Sequence, residues 1–94
     1  MIGITFEELY DYLSNNHEIE FSYHGVLYSI EPASDDGIRF VIWRCDDHAE
    51  VICSVKEDQE KTVNEAIENL LSQKCFDGKS FLDIEDDVIV DTVF

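Results

Sequence analysis

From Glu18 to Glu31 the chain alternates apolar and polar positions through two runs, EIEFSY and VLYSIE, separated by His24-Gly25. Period-2 alternation is a strand signal. A two-residue loop in which Gly accepts φ > 0 freely, and His better than most residues, joins two such strands into a β-hairpin. That loop sets Ile19 opposite Ile30, Phe21 opposite Tyr28 and Tyr23 opposite Val26, so one side of the hairpin is apolar throughout. The other side carries Glu18 with Glu31, Glu20 with Ser29 and Ser22 with Leu27, and reads as mostly a solvated surface. A one-residue slip would exchange the two sides, which fixes the register.

Helical spacing frames the hairpin. Thr5 and Glu8 have the spacing of a capping box, and Phe6, Leu9, Leu13 and Tyr10 follow as an apolar stripe, so a helix is expected from Thr5 to about Asn15. After Pro32, the turn formers Ser34, Asp35, Asp36 and Gly37 lead into a third strand from about Ile38 to Cys45. Asp46 to Ala49 is the next turn. A loop centred there pairs Phe40 with Val55, Ile42 with Cys53 and Arg44 with Val51 on one side, and Val41 with Ser54, Trp43 with Ile52 and Cys45 with Glu50 on the other. Glu57 to Glu60 is an acidic link. Thr62 and Glu65 repeat the capping-box spacing before Val63, Ala66, Ile67, Leu70 and Leu71, which predicts a second helix to about Lys74, stopped by Asp77-Gly78. Ser80 and Asp83 suggest a short helical turn through SFLDI, and the β-branched run Val88 to Phe94 a fifth strand.

The order of elements predicts an α+β fold over a single domain, residues 1–94, built as an antiparallel β-meander of four to five strands with two main helices packed on one face. Stripes from Phe6, Leu9, Leu13, Ile67, Leu70 and Leu71 are expected to cover an apolar sheet face that includes Ile38, Phe40, Ile42, Val51, Cys53 and Val55. Leu27, Val41, Trp43 and Ile52 are left on the second face. Burial in the core or against a second copy is one reading of that group. A foreign partner is the other, since Trp in a patch rimmed by charge is a common interface anchor.

Charge changes this picture most: 22 Asp and Glu against 6 Lys and Arg give a formal net charge of −16. Solubility of a small domain needs a magnitude of only about 2 to 8. Such an excess argues against direct binding to nucleic acid or anionic membrane, and favours basic partners or divalent cations. With 45% hydrophobic residues the chain is not composed like a disordered one. No apolar run approaches the roughly 18 residues needed to span a bilayer, and MIGITFEELY has neither a basic n-region nor an apolar h-region. A cytoplasmic location is expected. Cys45, Cys53 and Cys75 form an odd set without CxxC spacing, so reduced thiols are expected; Cys45 and Cys53 would point to opposite sides of the sheet.

Candidate chemistry is sparse. His17, His24 and His48 sit at predicted turns or strand ends with no nucleophile elbow or Ser-His-Asp arrangement around them, and neither GxxxxGK[ST] nor GxGxxG occurs. No enzyme and no cofactor is expected. Asp46, Asp47, His48 and Glu50 crowd one turn, and Asp83, Glu85, Asp86 and Asp87 another, but neither cluster has EF-hand spacing, and Cys45 with His48 lacks a second soft-ligand pair. Weak cation association is expected rather than a built metal site.

The segments FSYHGVLYSIE and FDGKSFLDIEDDVIVDT resemble a pattern of small acidic Firmicutes proteins without an assigned activity, which pair an FxYxGxxYSI hairpin with a DGKSLxDIWDDI-type ending. Glu85 stands where that ending commonly has Trp. The resemblance implies bacterial origin and the hairpin, and carries over no site residue.

The function expected from charge is a non-enzymatic acidic interaction protein that binds a basic surface, such as that of a nuclease or other nucleic-acid-binding protein. Small phage-borne anti-CRISPR and anti-restriction inhibitors that act as DNA mimics are similar in size and charge, a similarity of type rather than of sequence. The candidate partner-binding residues are Asp35 and Asp36 in one turn, Trp43 and Ile52 in the apolar group, and Asp46, Asp47 and Glu50 in the next turn. Glu57, Asp58 and Glu60 in the acidic link, with Asp86 and Asp87 before the last strand, complete the set. The alternative is a housekeeping or divalent-cation-responsive binding module without nucleic-acid mimicry.

Overall fold

A computed structural model describes residues 1–33, 37–46, 49–57 and 62–94. Helix α1 (Phe6–Ser14) opens with the expected capping box: the Glu8 amide donates to Thr5 Oγ1 and the Thr5 amide donates to the Glu8 carboxylate, each at 3.1 Å. Two of the amides that a helix N-terminus leaves without partners are thereby satisfied. The helix buries Leu9 and Leu13.

Strands β1 (Ile19–Tyr23) and β2 (Val26–Pro32) form the hairpin in the expected register, Ile19 opposite Ile30 and Phe21 opposite Tyr28. His24 and Gly25 both take positive φ, 49° and 78°, the signature of a type I′ turn. Strands β3 (Ile38–Arg44) and β4 (Glu50–Lys56) continue the meander. The last strand, β5 (Val88–Val93), returns antiparallel to β1, giving a five-stranded sheet in the order β4-β3-β2-β1-β5. Ile2 lies along the outer side of β5, its amide donating to Val88 O and its carbonyl accepting from Val90 N.

The β3–β4 ladder follows expectation through Phe40 with Val55, Val41 with Ser54 and Ile42 with Cys53, and then slips by one. Trp43 pairs with Val51 and Arg44 with Glu50, not Trp43 with Ile52, Arg44 with Val51 or Cys45 with Glu50. A bulge absorbs the extra residue of β4. Val51 is consequently 45% exposed instead of joining the core face, and Ile52 is half-buried with contacts to the core.

Helices α2 (Val63–Ser72) and α3 (Phe81–Ile84) complete the fold, followed by a 3-10 turn over Glu85–Asp87. Thr62 and Ser80 cap the two helices through their hydroxyls, as their spacing predicts. Helix α2 ends before the expected Lys74. Asp77-Gly78 forms a second two-residue turn, with positive φ at both residues and Phe76 bridged to Lys79. Leu9, Leu13, Ile67, Leu70, Leu71 and Phe81 pack with Ile19, Phe21, Ile30, Phe40, Ile42 and Val55 in one core. Side chains of this size contribute roughly 1.5–3 kcal/mol each when fully buried. The helices therefore lie on one face of the sheet.

One expectation is overturned inside that core. Cys53 on β4 and Cys75 after α2 are joined in a disulfide with Cα atoms 6.2 Å apart, and Cys45 is the free, half-buried thiol. The extended backbone at Gln73, where α2 stops, carries the chain back toward the edge strand, so residues 22 apart in sequence meet.

The open face of the sheet as candidate interaction site

The sheet side opposite the helices is built by strand alternation into three rows. Ile89, Ser22 and Leu27 lie side by side across β5, β1 and β2; Thr92, Glu20, Ser29 and Trp43 form the next row; Glu31, Val41 and Ser54 form the third, with Glu18 beside Glu31. None of Leu27, Val41, Trp43 and Ile89 belongs to the core cluster, and among the described residues no helix covers them. The expectation of an uncovered second face thus holds for Leu27 and Trp43, while Ile52 leaves it through the bulge. The C-terminal strand extends the sheet sideways beside β1 and does not fold over this face. Ser29 and Val41 are each only 3% exposed, although among the described residues no helix lies over them.

Trp43 organises this surface. Ser29 pairs with Trp43 and Glu31 with Val41, which places the indole diagonal to Glu31, within reach for so long a side chain. The indole Nε1 donates to Glu31 Oε1 at 2.8 Å. An indole held by a carboxylate is orientationally fixed, and its polar atom is satisfied.

Glu31 also faces Glu18. Burial pushes the Glu18 carboxyl above its ordinary value, helped by the Glu31 charge, a hydrogen bond with Glu31 and the Glu20 charge. Two facing carboxylates repel, so each disfavours ionisation of the other. Beside the pair lies a hollow of about 500 Å³ lined by Asn16, Glu18, Glu31, Pro32 and Ala33. The Phe94 amide donates to Glu18 O at 2.8 Å and ties the end of β5 to the same corner.

The residues expected to bind a partner are not gathered into one place. Asp46 and Glu50 stand at the β3–β4 turn, where Arg44 Nε lies 2.7 Å from Asp46 Oδ2; both side chains are about two-fifths exposed, so the pair contributes little. Glu57 is at the far end of β4, its amide donating to Gly37 O. Asp86 and Asp87 sit on the 3-10 turn, with Asp87 Oδ2 3.6 Å from His24 Nε2 at the hairpin tip. Asp35, Asp36, Asp47, Asp58 and Glu60 lie outside the described residues. Among the described members of the expected set, Trp43 joins the open face, where its indole meets Glu31, and Glu31 in turn faces Glu18; the sequence reads both glutamates as solvated surface. Their cross-strand pairing was the signal; Trp43 and the hollow are what give it consequence.

Among the described residues no group of three or more His, Cys, Asp or Glu is arranged to hold a metal ion, and no helix is long and apolar enough to cross a membrane. Comparison with protein family models, with curated proteins and with solved structures finds no match to this chain.

Proposed function

We propose that this chain is a non-enzymatic acidic interaction protein that engages a basic surface on another protein, of the kind that nucleic-acid-handling proteins present. The single observation that carries the reading is the net charge of −16 on 94 residues. A field of that size accelerates encounter with a cationic partner and repels nucleic acid and anionic lipid. Carboxylates at both ends of the sheet, Asp46 and Glu50 at one and Glu57 at the other, spread the charge over the molecule, so the attraction acts from many approach directions. Charge supplies the on-rate, and an apolar anchor supplies the lifetime of the complex.

Capture of partners from a bacterial lysate at low and moderate salt, followed by competition with duplex DNA, tests the reading. The expected partners are basic nucleic-acid-binding proteins that salt weakens and DNA displaces. Recovery of neutral or acidic partners alone, or of complexes that DNA does not displace, overturns the competition with nucleic acid and leaves a protein-binding domain of another kind.

A further inference from the structure

We propose that the open face of the sheet is the docking surface, and that its occupant is a basic amphipathic helix of a partner protein, with a Lys or Arg set against Glu18 and Glu31 and apolar side chains set against Leu27, Ile89 and Trp43. This rests on the reading of the chain as an acidic interaction protein and names the surface and the partner's form.

Charge complementarity selects the occupant. Glu20 and Glu31 share this face, with Glu18 beside Glu31, while Lys56 stands at the end of β4 past the register shift between Ile38 and Phe40. A second copy would bring a matching set of carboxylates and another −16 of net charge against the first. A cation relieves the repulsion that a copy would double.

Backbone hydrogen bonding selects the helix. An extended peptide lying on a sheet face finds no ladder, so its N–H and C=O groups would be desolvated without partners. An extended peptide docks at an edge, and both edges here are partly occupied: Ile2 bonds to β5, and the Gln73 side chain donates to Ser54 O of β4 at 2.8 Å. A helix satisfies its own backbone and supplies the missing layer of a helix-on-sheet packing.

The face is graded for such a ligand. Leu27, 36% exposed, and Ile89, 46% exposed, flank Ser22 in the apolar row, and the Glu18–Glu31 corner lies two rows away. At the rise of a strand the separation is about 13 Å, or two to three turns of a helix. Trp43 stands between, already held by Glu31, so little side-chain freedom is lost there on binding.

The test uses a synthetic Leu/Arg helix with its leucines on one stripe, a scrambled peptide of the same composition, and polylysine. Trp43 is the sole tryptophan, so intrinsic fluorescence reports on this face, and amide chemical shifts map the remainder. The helix is expected to shift Trp43 emission and the amides of Glu18, Leu27 and Glu31. Glu31→Gln and Leu27→Asp should each weaken it roughly tenfold, while Asp46→Asn and Glu57→Gln change it about twofold or less. Circular dichroism establishes that each variant is folded, and Leu27 is exposed enough to be changed without touching the core.

Binding that leaves Trp43 emission unmoved and shifts only the strand ends overturns this surface and leaves the acidic interaction reading standing. Equal binding of the scrambled peptide overturns the helical occupant alone. Self-association abolished by Leu27→Asp would identify a second copy as the occupant and overturn the proposal. Failure of both the helix and polylysine to bind at low salt overturns the proposal together with the reading beneath it.

Discussion

Glu18 is the residue at which charge and packing oppose each other. Its carboxyl is raised above the ordinary 4.5 by burial, by Glu31 and by Glu20, so the folded chain holds that proton more tightly than the unfolded chain does. The stability this provides is fully present below the ordinary value and is lost as pH rises through the raised folded value. Glu18→Gln is therefore expected to raise the unfolding free energy at neutral pH by about 0.5 kcal/mol, the scale of a cross-strand like-charge penalty softened by solvent. Below the ordinary glutamate range it should change nothing; urea titrations at the two pH values check both statements. Asp83 behaves in the opposite sense. Its hydrogen bonds with Ser80 hold its carboxyl below the ordinary value, so that contribution is present at neutral pH and is lost as pH falls through the folded value. Removing the buried hydroxyl in Ser80→Ala should cost about 1 kcal/mol, measurable as a lower urea midpoint. The Ser80–Asp83 cap was legible because capping is local. The Glu18–Glu31 pairing was legible from the hairpin, but its environment was not, because Trp43 arrives from β3 and the hollow is shaped partly by Pro32 and Ala33, beyond the positions paired within the hairpin.

Elements were legible where short-range rules decide them. The type I′ turn at His24-Gly25 fixes the first hairpin register, and the hydroxyls of Thr5, Thr62 and Ser80 start their helices where the spacing places them. The register of β4 beyond Cys53 was not legible, since period 2 cannot announce an inserted residue and both Val51 and Ile52 are apolar. Nor was the link between β4 and the segment after α2, because sequence spacing alone does not say which thiols converge. That link has a measurable weight. Closing a loop between cysteines 22 apart removes unfolded-state entropy worth about 3 kcal/mol, so Cys75→Ser should lower the unfolding free energy by roughly that amount. A reductant should destabilise the parent chain comparably and leave Cys75→Ser unchanged. Cys45→Ser provides the contrast: with Cys45 outside the disulfide, reductant should destabilise that variant as it does the parent.

For the whole molecule, the self-repulsion of a net charge of −16 acts against the compact state, because unfolding moves like charges apart. The opposing cations are few, 6 Lys and Arg in all, and the described Arg44–Asp46 pair is solvent-exposed, so local pairing does little to offset the global field. Salt shortens the Debye length from about 30 Å at 0.01 M to about 8 Å at 0.15 M, from the scale of the whole molecule, 36 × 28 × 25 Å, to that of near neighbours. The thermal midpoint is therefore expected to rise steeply with sodium chloride over that range and to flatten above it. A few degrees corresponds to about 1 kcal/mol for a domain of this size. Magnesium should trace the same curve once ionic strength is matched, if its action is screening alone. A saturable rise at micromolar calcium or magnesium, out of line with ionic strength, would instead mark a specific cation site, and its loss on Asp46→Asn or Asp87→Asn would locate it. A midpoint indifferent to salt would mean that the carboxylates are paired or protonated in the folded chain, and the long-range attraction for a basic partner would weaken with them.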